Sequence, residues 1–170
     1  MEKDVTTKRS HRLEAVIDGI LALIRAVPRE ALQRRPWEDE WTAMELLGHV
    51  AEIVPYWARQ AREVSERAKD GELFGRSTVN PEEDPVRLAA IAGHGGDQLA
   101  VIEALVQTGL TQAIADLRAI HHDSWERNGR QANGQVTTVA QIVDQRLIAH
   151  LQGHAEQLAR ILHQPEGVGG

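Results

Sequence analysis

The chain contains no cysteine, one tyrosine and one phenylalanine among its 170 residues. The absence of cysteine excludes a disulfide framework, a thiolate zinc site, an iron–sulfur cluster and a cysteine nucleophile. A metal ion held by this protein must therefore bind histidine, aspartate or glutamate. Any thiol that takes part in its chemistry must come from outside the chain.

Basic residues and long apolar runs are also scarce. Lys and Arg number 19 against 25 Asp and Glu, which gives a formal net charge of −6. Nucleic-acid binding needs a clustered basic surface, and no such stripe occurs, so we predict no nucleic-acid partner. No apolar run approaches the roughly 18 residues of a membrane span, and the first residues contain no apolar signal segment. We expect a cytoplasmic protein that does not insert into a membrane.

Apolar residues recur at helical spacing in four long stretches, which predicts four amphipathic helices. The first covers residues 10–27, the second 43–69 and the third 97–121, while the fourth runs from a cap at Thr137 or Thr138 to a stop at Pro165. No strand pattern is credible, so the fold class is all-α, a four-helix bundle. We expect a single domain over residues 1–164 and a disordered tail over residues 165–170.

The second helix has the clearest start signal. Thr42 and Glu45 have the spacing of a capping box, and Trp41 with Leu46 fits a hydrophobic staple. Pro55 lies within the pattern and predicts a bend or a local break. The polar connection 70–96, with a short helical turn at 86–92, is long enough to cross back along the bundle. It favours an up-down-down-up order in which the second and fourth helices are antiparallel.

Histidine is the one abundant chemical group, with eight residues in the chain. His150 and His154 lie one turn apart on the fourth helix, and the apolar periodicity places both on its inward face. His49 is inward on the second helix. If these helices are antiparallel, the three imidazoles meet at one level and can hold one divalent ion; if they are parallel, His49 and His150 lie roughly 10 Å apart along the axis.

Other interpretations of these residues stay open. A buried histidine is more often a hydrogen-bonded core residue than a metal ligand. Glu45 and Glu52 are candidate further ligands, although the first is more simply a capping partner and the second an exposed helix charge. His121 and His122 close the third helix, and either could reach the mouth of the site. Walker, GxSxG and GxGxxG motifs are absent, and no ExxH pattern indicates a di-iron site.

Three segments together resemble the DinB-like superfamily of four-helix-bundle metalloenzymes, which includes bacillithiol and mycothiol S-transferases. They are PWEDEWTAMELLGHVAEI around His49, SWERNGRQANGQVTTVAQIV before the fourth helix, and HLQGHAEQLARIL with His150, His154 and Gln157. The resemblance implies a metal site formed by His49, His150 and His154, with zinc or nickel as the ion and manganese or iron as further candidates. It also implies a homodimer. Leu151 departs from the family, in which many members have Asp at this position.

The leading functional hypothesis is a metal-dependent enzyme that transfers a low-molecular-weight thiol to a small-molecule substrate. Metal-assisted hydrolysis is the second enzymatic possibility, and His121, His122 and Glu52 are candidate acids or bases for either reaction. Two non-catalytic possibilities stay open. One is a stress-response bundle in which the metal only joins two helices, and the other is a metal-free dimerising bundle.

Overall fold

The computed structural model describes residues 3–163, apart from the side chains of residues 3, 4 and 81, and it is mostly helical. The predicted all-α class is therefore confirmed. The helices are α1 (Lys3–Arg25), α2 (Arg29–Gln33), α3 (Ala43–Glu66), α4 (Pro85–His94), α5 (Leu99–Ala119), α6 (Val139–Gln141), a π-helical segment (Ile142–Ala149) and α7 (His150–Leu162), with 3₁₀ turns at Pro81–Glu83 and His122–Ser124. The last three helical elements follow one another directly, and we call them together the C-terminal helix (residues 139–162).

The long predicted helices are present with shifted ends. Helix α1 begins seven residues earlier than predicted, and the short α2 was not predicted; it forms because Leu32 is fully buried. Helix α4 is longer than the expected turn at 86–92. Within the described residues the C-terminal helix ends at Leu162. The predicted stop at Pro165 and the predicted disordered tail lie outside the described residues.

Helix α3 starts where the capping box predicts. The Thr42 hydroxyl accepts from the Glu45 backbone N–H at 3.1 Å, and the Glu45 carboxylate accepts from the Thr42 N–H at 2.7 Å. The helix continues through Pro55, so the predicted local break is wrong. The Pro55 ring packs against Gly109 of α5, where an added Cβ would lie 3.1 Å from Pro55 Cδ. Gly109 does not interrupt α5, which is one helix as predicted.

A small three-stranded sheet is the main correction to the predicted fold. Strand β1 (Glu72–Leu73) pairs in parallel with β2 (Asn128–Arg130), which pairs antiparallel with β3 (Val136–Thr138). Strands of two or three residues are too short to show the alternation by which a sequence reveals a strand. The sheet ties the 70–84 connection to the segment that leads into the C-terminal helix.

Helix α3 lies at the centre of the molecule and contacts α4, α5 and the C-terminal helix, while α1 packs against α5 and α7. One buried apolar cluster joins these helices, with Ile17, Leu47, Ile102 and Leu151 among its fully buried members. Such burial stabilises the fold by about 25 cal/mol per Å² of apolar surface removed from water. None of the described helices is long and apolar enough to cross a membrane.

Candidate metal centre

Helix α3 and the C-terminal helix bring the three predicted histidines together. Ligand nitrogens of His49, His150 and His154 all lie within 4.8 Å of one another. The ring centroids are 5.0 Å apart for His49 and His154, and 4.5 Å apart for His150 and His154. Two nitrogens bound to one tetrahedral zinc at about 2.0–2.1 Å are roughly 3.3 Å apart. Only small side-chain shifts separate the observed arrangement from that spacing.

His49 is a buried imidazole whose polar atoms lack partners. The side chain is 1% exposed, and neither ring nitrogen has a hydrogen-bond partner among the described residues. Burial, reinforced by the charges of His154 and Arg87, lowers the pKa of His49 to about 2. A buried neutral ring with two unsatisfied nitrogens is costly unless something binds it. A divalent cation fits this site because it would take the Nε2 or Nδ1 lone pair.

His150 and His154 share a hydrogen bond of 2.7 Å between their Nε2 atoms. His154 Nδ1 lies 3.1 Å from the Gln157 Oε1 acceptor, so Nδ1 carries the proton and Nε2 is a lone-pair acceptor. His150 Nε2–H must then be the donor of the shared bond. Metal binding would therefore shift the His150 proton to Nδ1, a change of tautomer without a change of charge.

The predicted inward orientation of both histidines on the C-terminal helix is wrong for His150, which is exposed, while His154 is half-buried. The π-helical segment just before His150 is the physical reason. Its i→i+5 bonds make a wider turn than an α-helix, so the apolar stripe changes phase there. Leu147 and Ile148 are consequently both fully buried, and His150 is turned to the edge of the stripe. The ring still lies against its neighbours, and this burial lowers the pKa of His150 to about 4, with the His154 charge as the next cause.

Glu52 is not the exposed helix charge that the sequence indicated. Its carboxylate accepts two hydrogen bonds from Arg76 Nη2, at 2.7 and 2.9 Å, and lies 3.8 Å from His49 Nδ1. Arg76 also donates to Asp84 at 2.6 Å, and all three side chains are at most 13% exposed. Burial raises the pKa of Glu52, and the Arg76 ion pair opposes that rise. Glu52 therefore lies behind His49, beyond hydrogen-bond distance of its Nδ1 atom, in the position that carboxylates commonly take behind metal-bound histidines.

Trp41 and Arg87 belong to the site, although sequence reasoning gave them no such role. The Trp41 ring centroid lies 5.4 Å from that of His49 and 6.3 Å from that of His154. The Arg87 guanidinium lies 5.2 Å from the Trp41 ring, and its charge lowers the pKa of all three histidines. Trp41 precedes the first helical residue of α3, so helical periodicity gives no signal for its position.

The remaining histidines of the described chain lie outside the three-histidine centre. His94 ends α4 and contacts Asp97 at 2.8 Å. His163, at the end of α7, donates from Nδ1–H to the Ala159 carbonyl at 2.7 Å. His121 and His122 form a group with Asp123 in which all three residues are exposed, and exposed groups of this kind are common without an ion. The structure does not bring His121 or His122 into the group with His49.

Zinc binding at pH 6 is expected to release far fewer than two protons. Three histidines at the ordinary pKa of 6.5 would be about three-quarters protonated at that pH and would release about two protons together. The pKa of His49 is lowered to about 2 and that of His150 to about 4, so both are neutral at pH 6 in the folded metal-free protein. The pKa of His154 is lowered as well, so the three residues together hold less than about one proton to release. Calorimetric titration in two buffers of different ionisation enthalpy measures the number released. A value of two or more would show that the histidines are charged before the metal binds.

Comparisons with known proteins agree with this architecture. A family model described as the DinB superfamily matches residues 12–158. A crystal structure of a mutant mycothiol-dependent maleylpyruvate isomerase is similar in fold, with a TM-score of 0.69 at 14% identity. The alignment covers 92% of this chain and 65% of that one, so this chain spans about two thirds of that protein's length. A search of curated proteins found no match. The match over most of the chain shows that the protein belongs to the DinB superfamily.

Proposed function

We propose that this protein is a metal-dependent enzyme that transfers a low-molecular-weight thiol to a small electrophile, with His49, His150 and His154 as the ligands of one divalent ion. The observation that carries the proposal is the buried, neutral and unpartnered His49 ring facing two further imidazoles. Three neutral nitrogen donors favour zinc or nickel, and also accommodate manganese or iron. A divalent ion bound there would lower the pKa of a thiol or water and so supply a nucleophile at neutral pH.

Contacts between helices support an up-down-down-up bundle. Pro55 of α3 lies against Gly109 of α5, and further along both helices Arg62 contacts Asp116 at 3.4 Å, as expected of parallel neighbours. Near the start of α3, by contrast, His49 meets the latter half of the C-terminal helix. This is the pairing that an antiparallel second and fourth helix requires. The segment 70–96, which contains β1 and α4, would be the crossover.

The surroundings of the three histidines favour a site with an open coordination position. Both carboxylate oxygens of Glu52 are bound by Arg76, so Glu52 is poorly placed to close the site as a fourth ligand. His150 is exposed, which gives small molecules access from the solvent side. Gln157 accepts from His154 Nδ1–H, so the lone pair that can bind a metal is the one on Nε2, and Trp41 covers another side of the imidazoles. A catalytic metal needs such an open position, and a structural metal does not.

Because the chain contains no cysteine, the transferred sulfur must belong to a small thiol. The mycothiol-dependent isomerase of similar fold is named for a thiol of that kind, and thiol transfer is the activity that the resemblance implies. We therefore rank thiol transfer above metal-assisted hydrolysis. The homodimer and the cytoplasmic location are further proposals from the resemblance and the composition.

Cobalt substitution tests the proposed function. We expect the tag-free protein to bind about one Co²⁺ per chain, and we expect its visible spectrum to gain a sulfur-to-cobalt charge-transfer band when a small thiol is added. A bound metal with a spectrum unchanged by thiol would instead indicate an ion that only joins α3 to the C-terminal helix. Binding of less than about 0.1 ion per chain after reconstitution would contradict every metal-dependent function.

A further inference from the structure

A small cavity lies beside the three-histidine centre and is not explained by the proposed metal site. Its lining includes Arg146 and Trp57, polar side chains from the β2–β3 loop, and Thr78 from the 70–84 connection. The volume is about 50 Å³. A single water needs roughly 10–15 Å³ by this measure, so the cavity holds a group of about three to five heavy atoms.

The cavity contains a cation without a carboxylate partner. Arg146 donates to the neutral amide oxygen of Gln135 at 2.6 Å, and among the described residues it has no acidic partner. Arg76 also lines the cavity, but Glu52 and Asp84 already neutralise its charge. Arg146 is therefore the residue available to bind an anion.

A second polar group in the cavity also lacks a partner. The hydroxyl oxygen of Thr78 is buried and has no hydrogen-bond partner among the described residues. Asn133 also lines the cavity; its Oδ1 atom accepts from the Gln135 backbone N–H, which leaves its Nδ2 group outside that bond. A buried hydroxyl and an unneutralised guanidinium that line one small cavity form a site for a planar anion.

The cavity is close to the metal centre along the chain and in space. Arg146 is four residues before His150 in the C-terminal helix, so the two residues lie about one turn apart. Arg76, which also lines the cavity, binds the Glu52 carboxylate behind His49. A small molecule reacting at the histidines can thus place a second group in this cavity.

We propose that the cavity formed by Arg146, Thr78 and Asn133 binds a carboxylate of the thiol or of the electrophile that reacts at the histidine centre. A carboxylate has three heavy atoms, matches the planar guanidinium and leaves room for the carbon that attaches it to the rest of the molecule, whereas a phosphate with five heavy atoms would fill the whole volume. This inference rests on the proposed function for the identity of the reacting molecule. The binding of a carboxylate by Arg146 is measurable without metal.

The experiment compares three probes: 3-mercaptopropionate, 2-mercaptoethanol and propionate. Binding is measured by NMR from the indole N–H of Trp57, which lines the cavity, in the metal-free and the zinc-loaded protein. We expect propionate to shift this signal in both forms. Arg146→Gln is expected to weaken propionate binding about tenfold, because it removes one charge-assisted hydrogen bond, and Arg146→Lys is expected to retain part of the affinity. Arg160→Gln, at an exposed position of the same helix, is the matched control.

The measurements on the zinc-loaded protein identify which molecule supplies the carboxylate. An Arg146-dependent preference for 3-mercaptopropionate over 2-mercaptoethanol assigns the carboxylate to the thiol. Arg146-dependent binding of propionate beside saturating 2-mercaptoethanol assigns it to the electrophile. Equal propionate binding by wild type and Arg146→Gln, with both variants folded by their NMR spectra, would overturn the proposal. If no thiol binds zinc while propionate still binds through Arg146, the proposed function fails and the anion site stands.

Discussion

Replacing His49 with glutamine is expected to lower bound zinc from about one ion per chain to less than about 0.1 after dialysis against a weak chelator. His49 is the only one of the three histidines that α3 contributes, and its ring is the one with no other hydrogen-bond partner. Glutamine is nearly as large as histidine, so the variant separates loss of the ligand from collapse of the core. The metal content is measured by elemental analysis of tag-free protein.

Thermal unfolding provides a second readout of the same substitution. A ligand that binds only the folded state at 1,000 times its Kd stabilises the protein by about 4 kcal/mol. Zinc should therefore raise the midpoint of unfolding for the wild type and leave that of His49→Gln unchanged. His94→Gln and His163→Gln are matched controls, because both histidines lie outside the centre, and both should behave as the wild type does. Full zinc binding by His49→Gln would contradict the assignment of this ligand.

The sequence contains enough information to locate α3 and its one histidine, His49, because local signals determine both. The Thr42–Glu45 capping box sets the start of α3, and from that point the helical repeat places His49 among Leu46, Leu47 and Ile53 in the core. The third and fourth predicted helices also correspond to helices of the structure, α5 and the C-terminal helix, because their apolar repeats are long enough to be recognised. Features of this kind depend on neighbours along the chain.

Features that depend on distant neighbours were not predictable from periodicity. The π-helical segment has the same apolar composition as an α-helix but more residues per turn. His150 therefore does not lie on the inward face that α-helical periodicity predicts. In the three-stranded sheet, β1 pairs with β2 more than fifty positions along the chain, and all three strands are too short to show alternation. Arg76 comes from a polar connection, and nothing in its local sequence indicates that it reaches Glu52 behind His49.

The buried ion pairs of Arg76 lead to the second large expected effect. Arg76→Met should destabilise the protein by about 3–5 kcal/mol at pH 7.5, because it leaves two carboxylates with low exposure and no counter-charge. Arg76 is 8% exposed, Glu52 13% and Asp84 9%, so solvent can replace little of the lost interaction. Arg59→Met removes a partner from the exposed Arg59–Glu63 pair and should cost less than about 1 kcal/mol. Urea unfolding measures both free energies.

The pH dependence of the stability lost in Arg76→Met identifies the cause of that loss. Burial already holds the pKa of Glu52 above 4.5 in the folded protein, and Arg76 opposes this effect. Removing Arg76 raises that pKa further, so folded Arg76→Met takes up a proton at a pH where unfolded Glu52 is still ionised. Proton uptake by the folded state means that its relative stability increases as pH falls, down to the unfolded pKa. The deficit of Arg76→Met should therefore shrink between pH 7.5 and 5, and in Glu52→Gln/Arg76→Met that shrinkage should be smaller. A deficit that is constant over this range would show that lost packing of the Arg76 side chain over Tyr56, rather than an uncompensated charge, is what destabilises the variant.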